Sequence, residues 1–141
     1  MVPRLLVDGF RGERMGNYLD EAFDILRSEL EFPTTPNELF VRYGTAVRTL
    51  DTFRKEQGLS PPDVPWDELT MCVALIKQIR NVFAHNTVEP KWDIKERYRV
   101  LYEFDDISIS LIGKHGHDFK FDHLDGPYTL FALRKSLESR I

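Results

Sequence analysis

Three side chains that could act together on a phosphodiester lie close along the chain, at Arg80, Asn81 and His85. An arginine guanidinium keeps its positive charge and can bind a phosphate through two parallel hydrogen bonds. A histidine accepts and releases protons near neutral pH, which suits it to general acid–base catalysis. The types and spacing of these residues are therefore compatible with cleavage of RNA that requires no metal ion.

The segment that carries Arg80 and Asn81 is amphipathic and predicts a helix from Pro65 or Trp66 to Ala84. Its apolar residues recur at three- and four-residue steps, the spacing of one helix face: Leu69, Cys72, Val73, Ile76, Ile79 and Phe83. Asn81 and His85 are four residues apart and share a face if the helix continues. Arg80 points at least a quarter-turn away from that face. All three side chains can border one cleft more readily if the end of the helix frays and frees His85.

Two earlier helices are predicted, from Arg14 to Leu30 and from about Pro36 to Gln57. Thr35 is placed to cap the second of them, with a proline at its first position. Gly44 within this helix would permit close packing against a neighbour, and Gly58 is a natural stop. Both helices have one apolar stripe, so we expect them to belong to one helical bundle.

The rest of the chain predicts a mixture of elements. A fourth, shorter helix is expected from about Trp92 to Phe104. Apolar and polar residues then alternate on either side of a glycine-rich turn, which predicts a β-hairpin from about Asp106 to Asp122. A last amphipathic helix follows Asp125-Gly126-Pro127.

The predicted fold is therefore mainly α, an antiparallel bundle of about four helices with a small C-terminal β-hairpin and a terminal helix. We expect residues 1–141 to form a single domain, with the helical bundle in 8–104 and the hairpin plus C-terminal helix in 105–141. A chain of 141 residues is long enough to bury a sizeable core.

Composition limits the classes of function. The formal net charge of -4 weighs against broad electrostatic binding of nucleic acid, although it leaves room for a local basic cleft. No apolar run approaches the roughly 20 residues that span a bilayer, so we expect a cytoplasmic protein without membrane association. The single cysteine, Cys72, cannot form an intrachain disulfide, and we expect it to be a small buried core residue.

No cofactor and no metal ion are expected. His115, His117 and His123 lie near aspartates and superficially resemble metal ligands, but the first two fall in the predicted hairpin turn, where a solvated loop explains them. The chain has no Gly-rich phosphate loop followed by Lys-Ser or Lys-Thr. The segment from Arg80 to His85 also lacks an accompanying carboxylate-rich cluster.

The run Ile79-Arg80-Asn81-Val82-Phe83-Ala84-His85-Asn86 resembles the signature of the HEPN superfamily. Those proteins are helical bundles whose late helix carries an arginine, usually a polar residue after it, and a histidine a few residues on. Arg11-Gly12-Glu13-Arg14 and Leu19-Asp20-Glu21-Ala22 further resemble the opening helix of the mannitol-operon repressor branch of that superfamily. The resemblance covers roughly residues 10–104.

The resemblance implies a homodimer in which the motifs of two chains face each other across a two-fold axis. Transesterification of RNA needs both a base and an acid, and each chain offers one motif histidine. His85 would then transfer protons, Arg80 would stabilise charge on the phosphorus oxygens, and Asn81 would orient the histidine or the substrate. The implied function is a metal-independent endoribonuclease in defence or toxin–antitoxin control, with RNA as substrate and an antitoxin as a potential partner.

A non-catalytic interpretation explains the same residues. Arg80 would pair with a carboxylate of the first helix, such as Asp20 or Asp24, while Asn81 would cap carbonyls at the helix end. His85 would interact favourably with the helix C-terminus. The mannitol-operon repressor branch, thought to act through protein partners, implies a regulatory, protein-interaction domain in transcriptional regulation. The acidic net charge favours this alternative, and the unbroken Arg-Asn-x-x-x-His spacing favours the nuclease.

Overall fold

Three long helices make up the first part of the fold: α1 (Arg4–Glu31), α2 (Pro36–Glu56) and α3 (Glu68–Ala84). The computed structural model describes residues 4–61, 63, 67–84 and 88–141, with side chains described from residue 17 onwards. The three predicted helices are confirmed, but α1 begins well before the predicted Arg14. The predicted start of α3 at Pro65 or Trp66 lies outside the described residues.

The ends of α2 follow from local sequence. The Thr35 hydroxyl accepts a hydrogen bond from the Glu38 backbone N–H at 3.1 Å, which satisfies a donor that has no partner within the helix. Pro36 occupies the first turn, where its missing N–H costs nothing. Gly58 follows the helix with a φ of 74°, a left-handed conformation that favours glycine. The predicted start and stop of this helix are therefore confirmed.

Helices α2 and α3 run antiparallel and approach each other closely at Gly44. A Cβ added at this glycine would lie 3.3 Å from the Cβ of Phe83, tighter than ordinary van der Waals contact. Further along α2, Asp51 lies beside Arg80, which precedes Phe83 on α3. The close packing predicted for Gly44 is confirmed, and it fixes which residues of α2 face the end of α3.

The prediction of a fourth bundle helix from Trp92 to Phe104 is wrong. This segment contains a short 3-10 turn at Glu96–Tyr98 and then strand β1 (Leu101–Phe104). Along β1, Tyr102 and Phe104 are buried whereas Leu101 and Glu103 are exposed. A two-residue alternation of burial is the pattern of a strand, and a helix would have placed these side chains on several faces.

The predicted hairpin from Asp106 to Asp122 is correct in one strand and wrong in the other. Strand β2 (Ile107–Ser110) pairs antiparallel with β1, with Tyr102 opposite Ile109. The turn between them includes Asp105 with a φ of 51°, which an aspartate tolerates better than most residues. The expected division of the chain at residue 104 thus falls inside this hairpin.

The segment expected to form the second strand pairs elsewhere. The Phe119 N–H donates to the Pro90 carbonyl at 2.9 Å, and the Trp92 N–H donates to the His117 carbonyl at 2.9 Å. Phe121–Leu124 then forms a 3-10 turn rather than a strand. These hydrogen bonds hold the chain that follows α3 against the loop at residues 115–119.

Helix α4 (Thr129–Ser139) is the predicted terminal helix, and its Leu130, Leu133 and Leu137 are buried. Buried apolar residues from all four helices and both strands form one cluster, which includes Leu26, Leu50, Ile76, Tyr102, Ile109 and Leu133. The fold class is confirmed: mainly helical, with a two-stranded hairpin and a C-terminal helix. Within the described residues, no helix has the length and apolar character needed to cross a bilayer.

Candidate functional site

Arg80 lies in the last turns of α3 with 37% of its side chain exposed. Its Nη1 donates a hydrogen bond to Asn81 Oδ1 at 3.1 Å, and its Nε lies 3.8 Å from Asp51 Oδ2 on α2. The structure therefore brings two of the three predicted site residues together. The guanidinium is partnered within the subunit, yet more than a third of the side chain remains open to solvent.

The prediction that Arg80 pairs with a carboxylate of α1, such as Asp20 or Asp24, is wrong. Asp20 pairs instead with Arg134 of α4, and Asp24 is exposed. The partner is Asp51, a residue of α2 whose side chain is only 3% exposed. The helix next to α3 along the chain, rather than α1, supplies the negative charge.

Asp51 is the residue of the candidate site that the sequence did not reveal. It forms a fully buried ion pair with Arg54, and its second oxygen lies 3.5 Å from Lys55 Nζ. Arg54 also donates to the Leu59 carbonyl at 2.9 Å. Spacings of three and four residues on α2 gave a local signal for these pairs, because such residues are neighbours on a helix surface. The sequence spacing does not show, however, that Asp51 and Arg54 are buried while Lys55 stays exposed.

In the described part of the chain, four cations lie around the Asp51 carboxylate: Arg54, Lys55, Lys77 and Arg80. Burial lowers the pKa of Lys77, and the nearby Arg54 guanidinium lowers it further, whereas Asp51 acts in the opposite direction. Among the described side chains, Asp51 is the carboxylate shared by Arg54, Lys55 and Arg80, and Lys77 is close enough for its pKa to respond to the same charges. The arrangement suits a ligand that carries negative charge.

Arg48 reaches from α2 to the end of α3. Its Nη1 donates to the Phe83 carbonyl at 3.3 Å, and its side chain is half-buried. A cation at this position offsets the partial negative charge of a helix C-terminus. Arg48 thereby holds the last turn of α3. His85 and Asn86 lie outside the described residues, and the placement of His85 beside Arg80 stays a prediction.

Two concave surfaces border this region. A groove of about 380 Å³ lies between α1 and α2, and Arg48 is on its rim. Its walls are mostly apolar and include Tyr18 and Ile25, which are 53% and 39% exposed. A second cleft of about 350 Å³ lies just past the end of α3, between Phe40 and the residues from 88 to 91.

Two histidines of the C-terminal loops stabilise the fold. His123 Nδ1 accepts hydrogen bonds from the Trp92 indole at 2.9 Å and from the Lys120 N–H at 3.2 Å. His115 Nδ1 accepts from the Ile94 N–H at 3.0 Å, although the side chain was expected to be only solvated. Across the described ranges, no three His, Cys, Asp or Glu side chains are arranged to bind a metal ion.

Comparisons with known proteins give no match: no family model, no curated protein and no solved structure is significantly similar to the chain. The resemblance to the HEPN superfamily therefore rests on the run from Ile79 to Asn86 and on the segments around Arg11 and Leu19, and it stays a prediction. What the structure adds is the position of Arg80 and Asn81 at the end of α3 and the charge around them.

Proposed function

We propose that this protein is a metal-independent endoribonuclease of the HEPN type, which works as a homodimer in the cytoplasm and serves defence or toxin–antitoxin control. One observation carries the proposal. Arg80 is partly exposed, its guanidinium donates a hydrogen bond to Asn81, and the buried Asp51 carboxylate lies 3.8 Å from its Nε within the same subunit. Among the described residues, the cations near Asp51 outnumber that carboxylate, which favours a phosphate ligand.

The proposed chemistry follows from these groups. The ribose 2′-hydroxyl attacks the neighbouring phosphorus, which leaves a 2′,3′-cyclic phosphate on one fragment and a 5′-hydroxyl on the other. A guanidinium has five N–H donors, and among the described residues Arg80 donates a side-chain hydrogen bond to Asn81 alone, so donors remain for the charge that builds on the phosphoryl oxygens. His85 of one chain removes the 2′-hydroxyl proton, and His85 of a second chain protonates the leaving oxygen.

Two neighbouring side chains, the buried Asp51 and the half-buried Asn81, keep the Arg80 guanidinium oriented for this role. The Asp51 carboxylate is buried and paired with Arg54, so its negative charge is held in place 3.8 Å from the Arg80 Nε. A preorganised cation stabilises a transition state more effectively than one that must reorient during the reaction. Asn81, also half-buried, restrains the same guanidinium from the adjacent position.

The test is incubation of the purified protein with mixed RNA in EDTA, followed by analysis of the fragment ends. We expect fragments with cyclic phosphate and 5′-hydroxyl ends. His85→Ala should abolish cleavage and leave the melting temperature nearly unchanged, and sedimentation equilibrium should show a dimer. His117→Ala removes an exposed histidine elsewhere and should cleave as the wild type does. Intact RNA with the wild-type protein would refute the proposal.

A second candidate function is a regulatory domain that binds a protein partner, with the motif serving the fold. The mostly apolar groove between α1 and α2 favours it, since Tyr18 and Ile25 expose apolar surface there. The bonding of Arg80 within one subunit favours it as well. On this alternative, Arg80→Ala lowers the melting temperature by several degrees and the wild-type protein leaves RNA intact. Cleavage in EDTA excludes it.

A further inference from the structure

Three cations line the junction of α2 and α3 on the side where Asp51 is buried: Lys55, Lys77 and Arg80. We call this set the cationic seam. Lys77 and Arg80 are three residues apart on α3 and therefore lie on the same side of that helix. Lys55 belongs to α2, and its ammonium lies 3.5 Å from the Asp51 oxygen that also faces Arg80.

We propose that Lys55 and Lys77 form a second phosphate-binding position beside Arg80, so that a single-stranded RNA lies along the cationic seam with adjacent phosphates on the two positions. The choice of RNA rests on the proposed function. The position itself rests on the geometry and charge of α2 and α3.

The charge balance of the seam supports this position. Arg54 and Asp51 are both 3% exposed and neutralise each other in the interior. The Asp51 carboxylate is thus already paired, and Lys55, whose ammonium lies 3.5 Å from it, keeps 54% of its own side chain exposed. An ammonium on a flexible stem in such a place can turn to a phosphate without leaving a buried charge unpaired.

Lys77 differs from an ordinary solvated lysine. Its side chain is half-buried, and burial together with the charges of Arg54, Lys55 and Lys95 lowers its pKa. A cation that is partly desolvated and close to other cations is in an unfavourable field, and a bound anion would relieve it. Such a site binds phosphate more tightly than isolated surface lysines would.

The charge of the remaining surface favours binding of single-stranded rather than double-stranded RNA. The chain carries a net charge of -4 in spite of the local positive charge, so the remaining surface is acidic. A duplex would bring a second row of phosphates toward that surface, whereas a single strand can follow the seam alone.

The experiment measures binding of a fluorescent single-stranded oligonucleotide in which every 2′-hydroxyl is replaced by hydrogen, so that cleavage cannot occur. The full chain is compared with the double variant Lys55→Gln/Lys77→Gln across a range of NaCl concentrations. We expect the variant to bind about tenfold more weakly at low salt. Its slope of log affinity against log salt should be smaller by roughly 0.7 for each phosphate that the variant no longer neutralises.

The matched control is Lys114→Gln/Lys135→Gln, which removes two cations away from the seam. It should keep the wild-type affinity within about twofold. Equal affinity and equal slope in the seam variant and this control would overturn the inference, as would equally tight binding of a duplex of the same sequence. Circular dichroism melting confirms that both variants are folded.

The failure of this inference can be told apart from the failure of the proposed function. Cleavage of RNA at the wild-type rate by Lys55→Gln/Lys77→Gln would overturn the second phosphate position and leave the nuclease intact. Binding that depends on the two lysines, with RNA never cleaved in EDTA, would support the seam and overturn the nuclease.

Discussion

The guanidinium of Arg48 donates a hydrogen bond to the carbonyl of Phe83, 3.3 Å away, and so joins the middle of α2 to the last turn of α3. Carbonyls in the last turn of a helix have no intrahelical partner, and they carry partial negative charge. The bond therefore stabilises the turn that directly precedes the segment with His85. It also explains why a charged residue is half-buried on α2.

We expect Arg48→Met to lower the free energy of unfolding by about 1 kcal/mol, because methionine retains much of the apolar stem but removes the donor. Urea denaturation at pH 7.5 measures the change. Arg42→Met is the matched control on the same helix. Arg42 pairs with Glu38 one turn away at an exposed position, so its removal should cost less than about 0.5 kcal/mol. Equal destabilisation in the two variants would contradict the role of Arg48.

A larger effect is expected at Asp51. Asp51→Asn leaves the Arg54 guanidinium buried without a counter-charge, and breaking a buried ion pair in this way costs about 3–5 kcal/mol. Urea denaturation again measures the destabilisation. Asp20→Asn, which breaks the partly exposed pair with Arg134, should cost less than about 1 kcal/mol.

The double variant Asp51→Asn/Arg54→Met separates the effect of an unpaired charge from that of altered packing. It removes the stranded guanidinium and should be considerably more stable than Asp51→Asn alone. Equal stability of the double and single variants would mean that Asp51 contributes through a residue other than Arg54.

The sequence was sufficient to predict the elements that have a long apolar periodicity or local capping residues. Helices α2 and α3 have many apolar residues in helical register, and α2 has a cap, a proline and a glycine at the expected positions. The interpretation of residues 92–104 failed because Ile94, Tyr98 and Leu101 fit a helical stripe by coincidence. A short apolar run does not distinguish a helix from a strand.

The same region also contains a strand signal. Tyr98, Val100, Tyr102 and Phe104 occupy alternate positions, and aromatic and β-branched residues favour strands. The pair Asp105-Asp106 then precedes Ile107, which is a two-residue connection suited to a hairpin. These signals together predict the observed pairing of β1 with β2.

Part of the candidate site could be predicted from the sequence and part could not. Arg80 and Asn81 could be identified because the motif is local. Asp51 could not, because its interaction with Arg80 arises only when α2 packs against α3, and sequence spacing does not specify that packing. The close approach at Gly44 is the one local hint of which faces meet.

The thiol of Cys72 should be unreactive in the folded protein. The side chain is fully buried, and burial raises its pKa to about 12, so little thiolate exists at neutral pH. We expect iodoacetamide at pH 8 to modify it at least about 100-fold more slowly than in 6 M urea. A cysteine introduced by Lys135→Cys on the exposed side of α4 should react rapidly under the same native conditions. Rapid native modification of Cys72 would contradict its place in the core.

The hydrogen bond between His123 and Trp92 predicts a decrease of stability in mild acid. His123 Nδ1 accepts the indole N–H, so the imidazole must be neutral there. Burial lowers the pKa of His123 below its ordinary value of 6.5, and the nearby Lys114 lowers it further. Because the unfolded chain binds the proton more readily, this stabilisation is complete above pH 6.5 and decreases as the pH falls through the pKa of the folded state.

We therefore expect the free energy of unfolding to fall by roughly 0.5–1 kcal/mol between pH 7 and pH 5, a modest value because the imidazole is partly solvated. His123→Asn places an amide oxygen near the position of Nδ1 and should remove most of this pH dependence, while His117→Asn should not. The pKa values of Glu29 and Asp105 are also lowered, but these carboxylates change the free energy of unfolding mainly below about pH 4.5. They therefore do not obscure the change expected between pH 7 and pH 5. An unchanged pH dependence in His123→Asn would show that Trp92 is held by other residues.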